Sequence, residues 1–277
     1  MLDVKNFAII DNCYYTTDTI VQSLPDFVFY RWEPPVIPVR DVNIQLILLS
    51  ANSQNGVEPS LRILKRLKNH EKLRDIPKVI IQDSLSPTDK CTYIQHGAHQ
   101  FISPVIDTEY HTLFLKKVAY CYRNAHKRQE APIKLNIVVI ENDPAIVNQY
   151  RRCFPEHSIH HITEFSELDH YTEIDLFIVD IYLGRGKING FKFIQLLKQS
   201  EFCKVPFIVS SSAFRITDRV NALQLGSLEY IEKPIMNRLL RAQLGLLLNS
   251  ISSVHKDILK PAKSFEVNAQ YKLTEKQ

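Results

Sequence analysis

Short apolar runs alternate with amphipathic stretches along most of the chain, and this pattern predicts strands and helices in turn. In the first half the strand pattern falls on Phe7–Ile10, Phe27–Tyr30, Ile44–Leu49, Val79–Ile81 and Gln100–Ile102. Val57, Leu61, Leu64 and Leu67 recur at helical spacing over residues 57–68, and residues 107–126 read as a longer amphipathic helix. A basic, apolar-poor stretch comes next at 126–134, and then the same order restarts. Strands are expected at 136–140, 159–163, 207–210 and 228–231, with another ending at Asp180. Helices are expected at 145–153, 191–198 and 216–225, with a long one from about Ile235. Strands that alternate with helices build parallel sheets, because a helix-length crossover returns the chain in the same direction. The expected fold class is α/β.

Leu176–Val179 is a continuous apolar run that ends abruptly in a carboxylate, Asp180. Such a run suits a strand buried on both faces. Its C-terminal end is where open α/β sheets gather chemistry, since the loops there ring a crevice. An internal repeat places this strand. At an offset of about 130 residues Asp11 and Asn12 fall on Glu141 and Asn142, Ser50 on Asp180, and Pro104 on Pro234. One residue less aligns Pro77 with Pro206, Gly97 with Gly226 and Phe101 with Tyr230. The chain therefore reads as a duplicated (βα)5 unit. Its expected domains are residues 1–128 and 134–250, with 251–277 a helix extension and polar tail.

In the second copy Glu141-Asn142-Asp143-Pro144 follows the first strand and Asp180 ends the third. Ser211 follows the fourth strand and Lys233-Pro234 the fifth. These landmarks resemble the receiver domain of two-component response regulators, a flavodoxin-like doubly wound fold, in tandem over about nine tenths of the chain. The resemblance implies that Asp180 accepts a phosphoryl group as an acyl phosphate and that Lys233 neutralises the transferring oxygens. It implies Mg²⁺ held by Asp180, Glu141, Asn142 and the backbone carbonyl of Tyr182. Ser211 would donate to the new phosphoryl oxygen, and Tyr230 would rotate into the space it vacates, switching protein interactions or dimerisation. The implied donor is a sensor histidine kinase or a phosphotransfer protein, and a homodimer and a downstream protein are the implied outputs. Read without the resemblance, Lys233 is a solvated lysine, Ser211 a turn hydroxyl and Tyr230 a core aromatic. Asp143 reads as the cap of the next helix, with Pro144 at its first position.

Two departures bear on that chemistry. Asn142 stands where the family has a metal-ligating carboxylate, and losing one charge lowers magnesium affinity by about ten- to a hundredfold. In the first copy Ser50, Gln82 and Ser103 stand where the nucleophile, the hydroxyl and the lysine belong. That half is expected to be a pseudo-receiver used for dimerisation or docking. The alternative is a scaffold of two pseudo-receivers that works without phosphorylation. A haloacid-dehalogenase-like phosphohydrolase would place a second Asp two residues after the nucleophile, where this chain has Tyr182. No GxGxxG follows either first strand, and the chain is not expected to be an enzyme.

Composition adds exclusions. A net charge of +4, with both signs interspersed, gives no basic face for nucleic acid. The chain shows no membrane-length apolar run and no signal-peptide pattern, so a cytoplasmic location is expected. Cysteines at 13, 91, 121, 153 and 203 show no metal or redox spacing and are expected to be reduced. Leu239, Leu240, Leu244, Leu247, Leu248 and Ile251 form a stripe expected to be core at its start and a dimer seam later, with Gly245 weakening that helix. Gly184, Gly186 and Gly190 read as a flexible loop.

Overall fold

Runs rich in Ile, Val, Leu and Phe pair side by side when helices can cover both faces of the resulting sheet. The structure, a computed structural model, describes residues 6–10, 14–32, 43–51, 57–105, 107–122, 134–184, 189–212, 215–234 and 236–254. Asp11, Asn12, Cys13, Gly186, most of the basic stretch and the tail after 254 lie outside them. The first half runs β1 (Asn6–Ile10), α1 (Tyr14–Ser23), β2 (Val28–Trp32), β3 (Leu46–Ser50), α2 (Glu58–Asn69), β4 (Lys78–Ile81), α3 (Pro87–Gln95), β5 (Gln100–Ile102) and α4 (Thr108–Tyr122). The second runs β6 (Asn136–Ile140), α5 (Pro144–Cys153), β7 (Ser158–Ile162), β8 (Leu176–Asp180), α6 (Gly190–Gln199), β9 (Phe207–Ser211), α7 (Ile216–Gln224), β10 (Tyr230–Glu232) and α8 (Asn237–Val254).

Two five-stranded sheets result, ordered β2-β1-β3-β4-β5 and β7-β6-β8-β9-β10, and every pairing is parallel. Both have the flavodoxin-like 2-1-3-4-5 order, in which the winding reverses between the first and third strands. Two helices, α1 and α3, are additional to the pattern read from the sequence. In the second half a 3₁₀ turn at Phe165–His170 stands where a (βα)5 unit has its second helix. The Glu167 carboxylate tightens that turn by accepting from Thr163 N at 2.7 Å and Glu164 N at 2.8 Å.

The helices of both halves meet. Tyr110, Phe114 and Leu115 of α4 lie in the same buried cluster as Leu240, Leu244 and Leu247 of α8. Leu239 packs with Cys91 and Ile94 of α3. The whole α8 stripe, Leu239 to Ile251, is buried within the chain, which corrects the expectation of a dimer seam along its later part. Among the described residues no helix is long and apolar enough to cross a membrane. Cys91, Cys121 and Cys153 are free and buried, and Cys203 is free and exposed.

Gly245 lies inside α8, and a Cβ built there meets nothing within 4 Å. The helix tolerates the glycine because its neighbours are buried leucines. Gly245→Ala is therefore expected to raise the unfolding free energy by about 0.5–1 kcal/mol in urea denaturation, through the lower backbone entropy of alanine.

Candidate functional site

In a parallel sheet all C-terminal strand ends share one edge, so residues far apart in sequence meet there. Glu141 follows β6, Asp180 ends β8 and Lys233 follows β10. The central β6 and β8 are neighbours and flank the point where the winding reverses. Glu141 and Asp180 are both buried. A buried carboxylate stays ionised only when paired and hydrogen-bonded. Lys233 meets that need twice: its Nζ lies 3.0 Å from Asp180 Oδ2 and also donates to Glu141 Oε2. The remaining oxygens are engaged by backbone. Asn142 N and Asp143 N each donate to Glu141 Oε1 at 3.0 Å, and Tyr182 N donates to Asp180 Oδ1 at 3.0 Å.

The Lys233 side chain is only 11% exposed, so its reading as a solvated lysine is overturned. Asp143 does cap α5: its Oδ1 accepts from Ala145 N at 2.8 Å, with Pro144 in the first turn. Below the carboxylates, Tyr150 is buried, and its hydroxyl donates to Ser210 Oγ at 3.4 Å. Burial is the main cause that pushes this phenol up from its usual range. His161 Nε2 donates to the Glu141 carbonyl at 2.7 Å and so fixes the strand end behind the carboxylate.

Ser211 ends β9 fully buried, and its side chain hydrogen-bonds to Tyr230 at the start of β10. Tyr230 is half-buried, and burial raises its phenol. The Arg219 guanidinium of α7 sits over that ring at 5.2 Å and donates to Glu232 Oε2 at 3.1 Å. The sequence points to Tyr182 for its backbone carbonyl alone. Its side chain reaches across to α7, where the hydroxyl donates to Asp218 Oδ2 at 2.9 Å. That bond is the first cause raising the Tyr182 phenol. Asp218 and Arg219 carry no sequence motif of their own, although Thr217-Asp218-Arg219 repeats Thr88-Asp89-Lys90 at the repeat offset.

Gly190, at the start of α6, closes directly on the end of β8. Gly190 donates its N–H to Ile181 O at 3.0 Å, and a Cβ there would lie 2.0 Å from the Asp180 carbonyl oxygen. Glycine at 190 thus permits close approach of α6 to the strand end, where the sequence suggests loop flexibility. Asn142 is exposed at the rim, with its Nδ2 against Gly184.

Among the described residues no group of three His, Cys, Asp or Glu is placed to hold a metal ion. The donors at this edge are two carboxylates, the Asn142 amide oxygen and backbone carbonyls, an all-oxygen set of the kind hard cations take. In the first half the same edge carries Ser50, Gln82 and Ser103. Ser50 is buried at the end of β3, and Ser103 Oγ donates to Asp83 Oδ1 at 3.1 Å.

Residues 137–245 match the response regulator receiver domain. This match covers the second sheet and its site. Among curated proteins, the sensory transduction protein BceR of Halalkalibacterium halodurans is 28% identical over 120 residues, 42% of this chain and 50% of the relative. The chain thus aligns with about half the length of that relative. Solved structures with weak likeness include a CheY-like response regulator receiver domain protein from Methanospirillum hungatei, at TM-score 0.38 and 17% identity over 44% of this chain and 98% of that one. A putative two-component response regulator/GGDEF domain protein covers 89% of this chain and 99% of that one at TM-score 0.37 and 12% identity. At such scores neither bears on function.

Lys233→Met leaves two buried carboxylates without their cation and is expected to cost about 3–5 kcal/mol in urea denaturation at neutral pH. Adding Glu141→Gln should recover part of that loss. Gly190→Ala drives a methyl into the Asp180 backbone and is expected to cost about 1–3 kcal/mol in the same assay.

Proposed function

We propose that the receiver-matched half is a phosphoryl acceptor in a two-component or phosphorelay system, with Asp180 the nucleophile. The observation that carries this reading is Lys233 Nζ at 3.0 Å from Asp180 Oδ2, within a buried cluster of opposite charges. An Asp180 oxygen would attack the phosphorus of a phosphohistidine on a kinase or phosphotransfer protein. The P–N bond breaks, and the imidazole leaves with its electrons and takes a proton. Lys233 holds the nucleophile before transfer and a phosphoryl oxygen after it. Magnesium, held by Asp180, Glu141, Asn142 and the Tyr182 carbonyl, would supply the second positive charge on the transferring oxygens. The chain would act as a cytoplasmic signalling partner rather than an enzyme. The first half lacks carboxylate, hydroxyl and lysine at positions 50, 82 and 103, which supports its reading as a pseudo-receiver.

The readout begins at Ser211. When its hydroxyl turns to the phosphoryl group, Tyr230 loses that hydrogen bond. A cavity of about 300 Å³ lies beside Tyr230, and its wall includes Lys233 as well as Tyr110 and Lys117 of α4. Arg219, over the Tyr230 ring, also hydrogen-bonds to Tyr110. Movement of Tyr230 would therefore be felt in the first half.

The second reading, a scaffold that is not phosphorylated, is favoured by Asn142 and by the absence of a third acidic group for a metal among the described residues. A small phosphodonor, a magnesium titration and intact mass measurement separate the two. The expected result is a single phosphoryl adduct that rises with magnesium and is absent in Asp180→Asn. No adduct at high magnesium, with wild type indistinguishable from Asp180→Asn, sinks the first reading in favour of the second.

A further inference from the structure

The two halves meet through repeat-equivalent faces. Helix α3 packs on α8, and α4 packs on α7. Between these crossings the Gln100 amide of β5 donates to the Glu229 carboxylate beside β10, and these residues are 129 apart, the offset of the repeat. The flanking cation–ring pairs repeat too: Lys90 lies over Phe101 at 5.9 Å and Arg219 over Tyr230 at 5.2 Å. Residue i of one half meets the counterpart of j, as in a two-fold interface between identical subunits. Here the two-fold is internal and approximate.

A duplicated face that pairs with its copy is self-complementary in shape, so two second halves from different chains would fit equally well. The residue at the axis distinguishes the two pairings. A pair of second halves would oppose Glu229 to Glu229, two carboxylates in a buried place. The internal pair opposes an amide donor to one carboxylate. We propose that the first domain is the built-in partner of the α7–β10–α8 face, and that Gln100 opposite Glu229 makes this pairing exclusive of a second copy of the chain. The proposal stands whether or not Asp180 accepts a phosphoryl group.

Burial raises the Glu229 carboxyl to about 7, offset in part by the Tyr230 amide, Arg219 and Gln100. The other titratable groups facing it are Tyr110, Lys117, Cys121 and Tyr122 of α4. Separated from the first domain, Glu229 returns to water and to an ordinary value near 4.5. The docked state then binds the extra proton, so docking is strongest in acid and weakens as pH rises through about 7. From these two values docking falls about thirtyfold between about pH 5.5 and about pH 8.5. Lys117, held below its usual range by burial, acts with the opposite sign in a more alkaline range.

The test uses the full chain at about pH 8, with small-angle scattering for shape, light scattering for mass and circular dichroism for folding. Wild type is expected to be a compact monomer. Gln100→Glu should separate the domains, enlarging the radius of gyration at unchanged mass and secondary structure. Adding Glu229→Gln should restore compactness, which also shows that the single substitution did no general damage. Repeated as a pH series from about 5.5 to about 8.5 with urea added until the domains partly separate, the same measurement should show the thirtyfold dependence in wild type and its loss in Glu229→Gln alone. An unchanged radius in Gln100→Glu, failure of the double exchange to restore it, or a wild-type dimer that Gln100→Glu dissolves would each overturn the proposal.

Discussion

One ammonium group between two buried carboxylates is the constraint on which the second half depends. Lys233, Glu141 and Asp180 come from three strand ends that only the 2-1-3-4-5 winding brings together. Removing such charges from water is tolerable only if the geometry is held closely, because a displaced partner leaves an uncompensated charge. The backbone around them is accordingly committed. Amides of Asn142, Asp143 and Tyr182 all point at carboxylate oxygens, and Gly190 lets α6 approach the Asp180 carbonyl. The same bonds set the terms for a cation, which must compete with donors already in place. With Asn142 contributing no charge, the trio's formal charge is one negative, a weaker attraction than three carboxylates facing one lysine would exert.

The first half is free of that constraint. Its sheet has the same order, and its β3 ends in a buried residue as β8 does, but the residue is a serine. Among the described residues of that edge none requires a buried lysine. Ser103 serves instead as a local partner for Asp83. Fold and charge cluster are separable: the sheet is held by apolar packing, and the ionic trio is an addition that one copy carries and the other does not.

Periodicity encodes burial, and this decides which parts of the fold are legible in the sequence. Strands such as β3 and β8, apolar up to their last residue, stand out because every position is buried. Helix α1 is hidden because its TTDT stretch is polar and β-branched. Helix α3 shows little apolar periodicity, and its signal is the cap: Ser86 Oγ accepts from Asp89 N at 3.1 Å, with Pro87 at the first position. The ionic residues are legible through their family spacing. Their partners across helices are not, since nothing local ties Tyr182 to Asp218 or Arg219 to Tyr110. The α8 stripe has the same limit: its leucines announce burial without saying what covers them, and the cover is the second sheet and α5 together with α3 and α4 of the other half.

Tyr230 is where the ionic edge and the domain contact join. Its phenol is bonded to Ser211 beside that edge, while its ring lies under Arg219, which reaches Tyr110 of the other half. A half-buried aromatic with room beside it moves at lower cost than a fully packed one, because no close-packed neighbour must be displaced. Its counterpart, Phe101, has no hydroxyl and so cannot make the bond that ties Tyr230 to Ser211. The duplicated face thus kept its shape in both halves, while only one half retains the hydroxyl pair that links the face to a charged strand end.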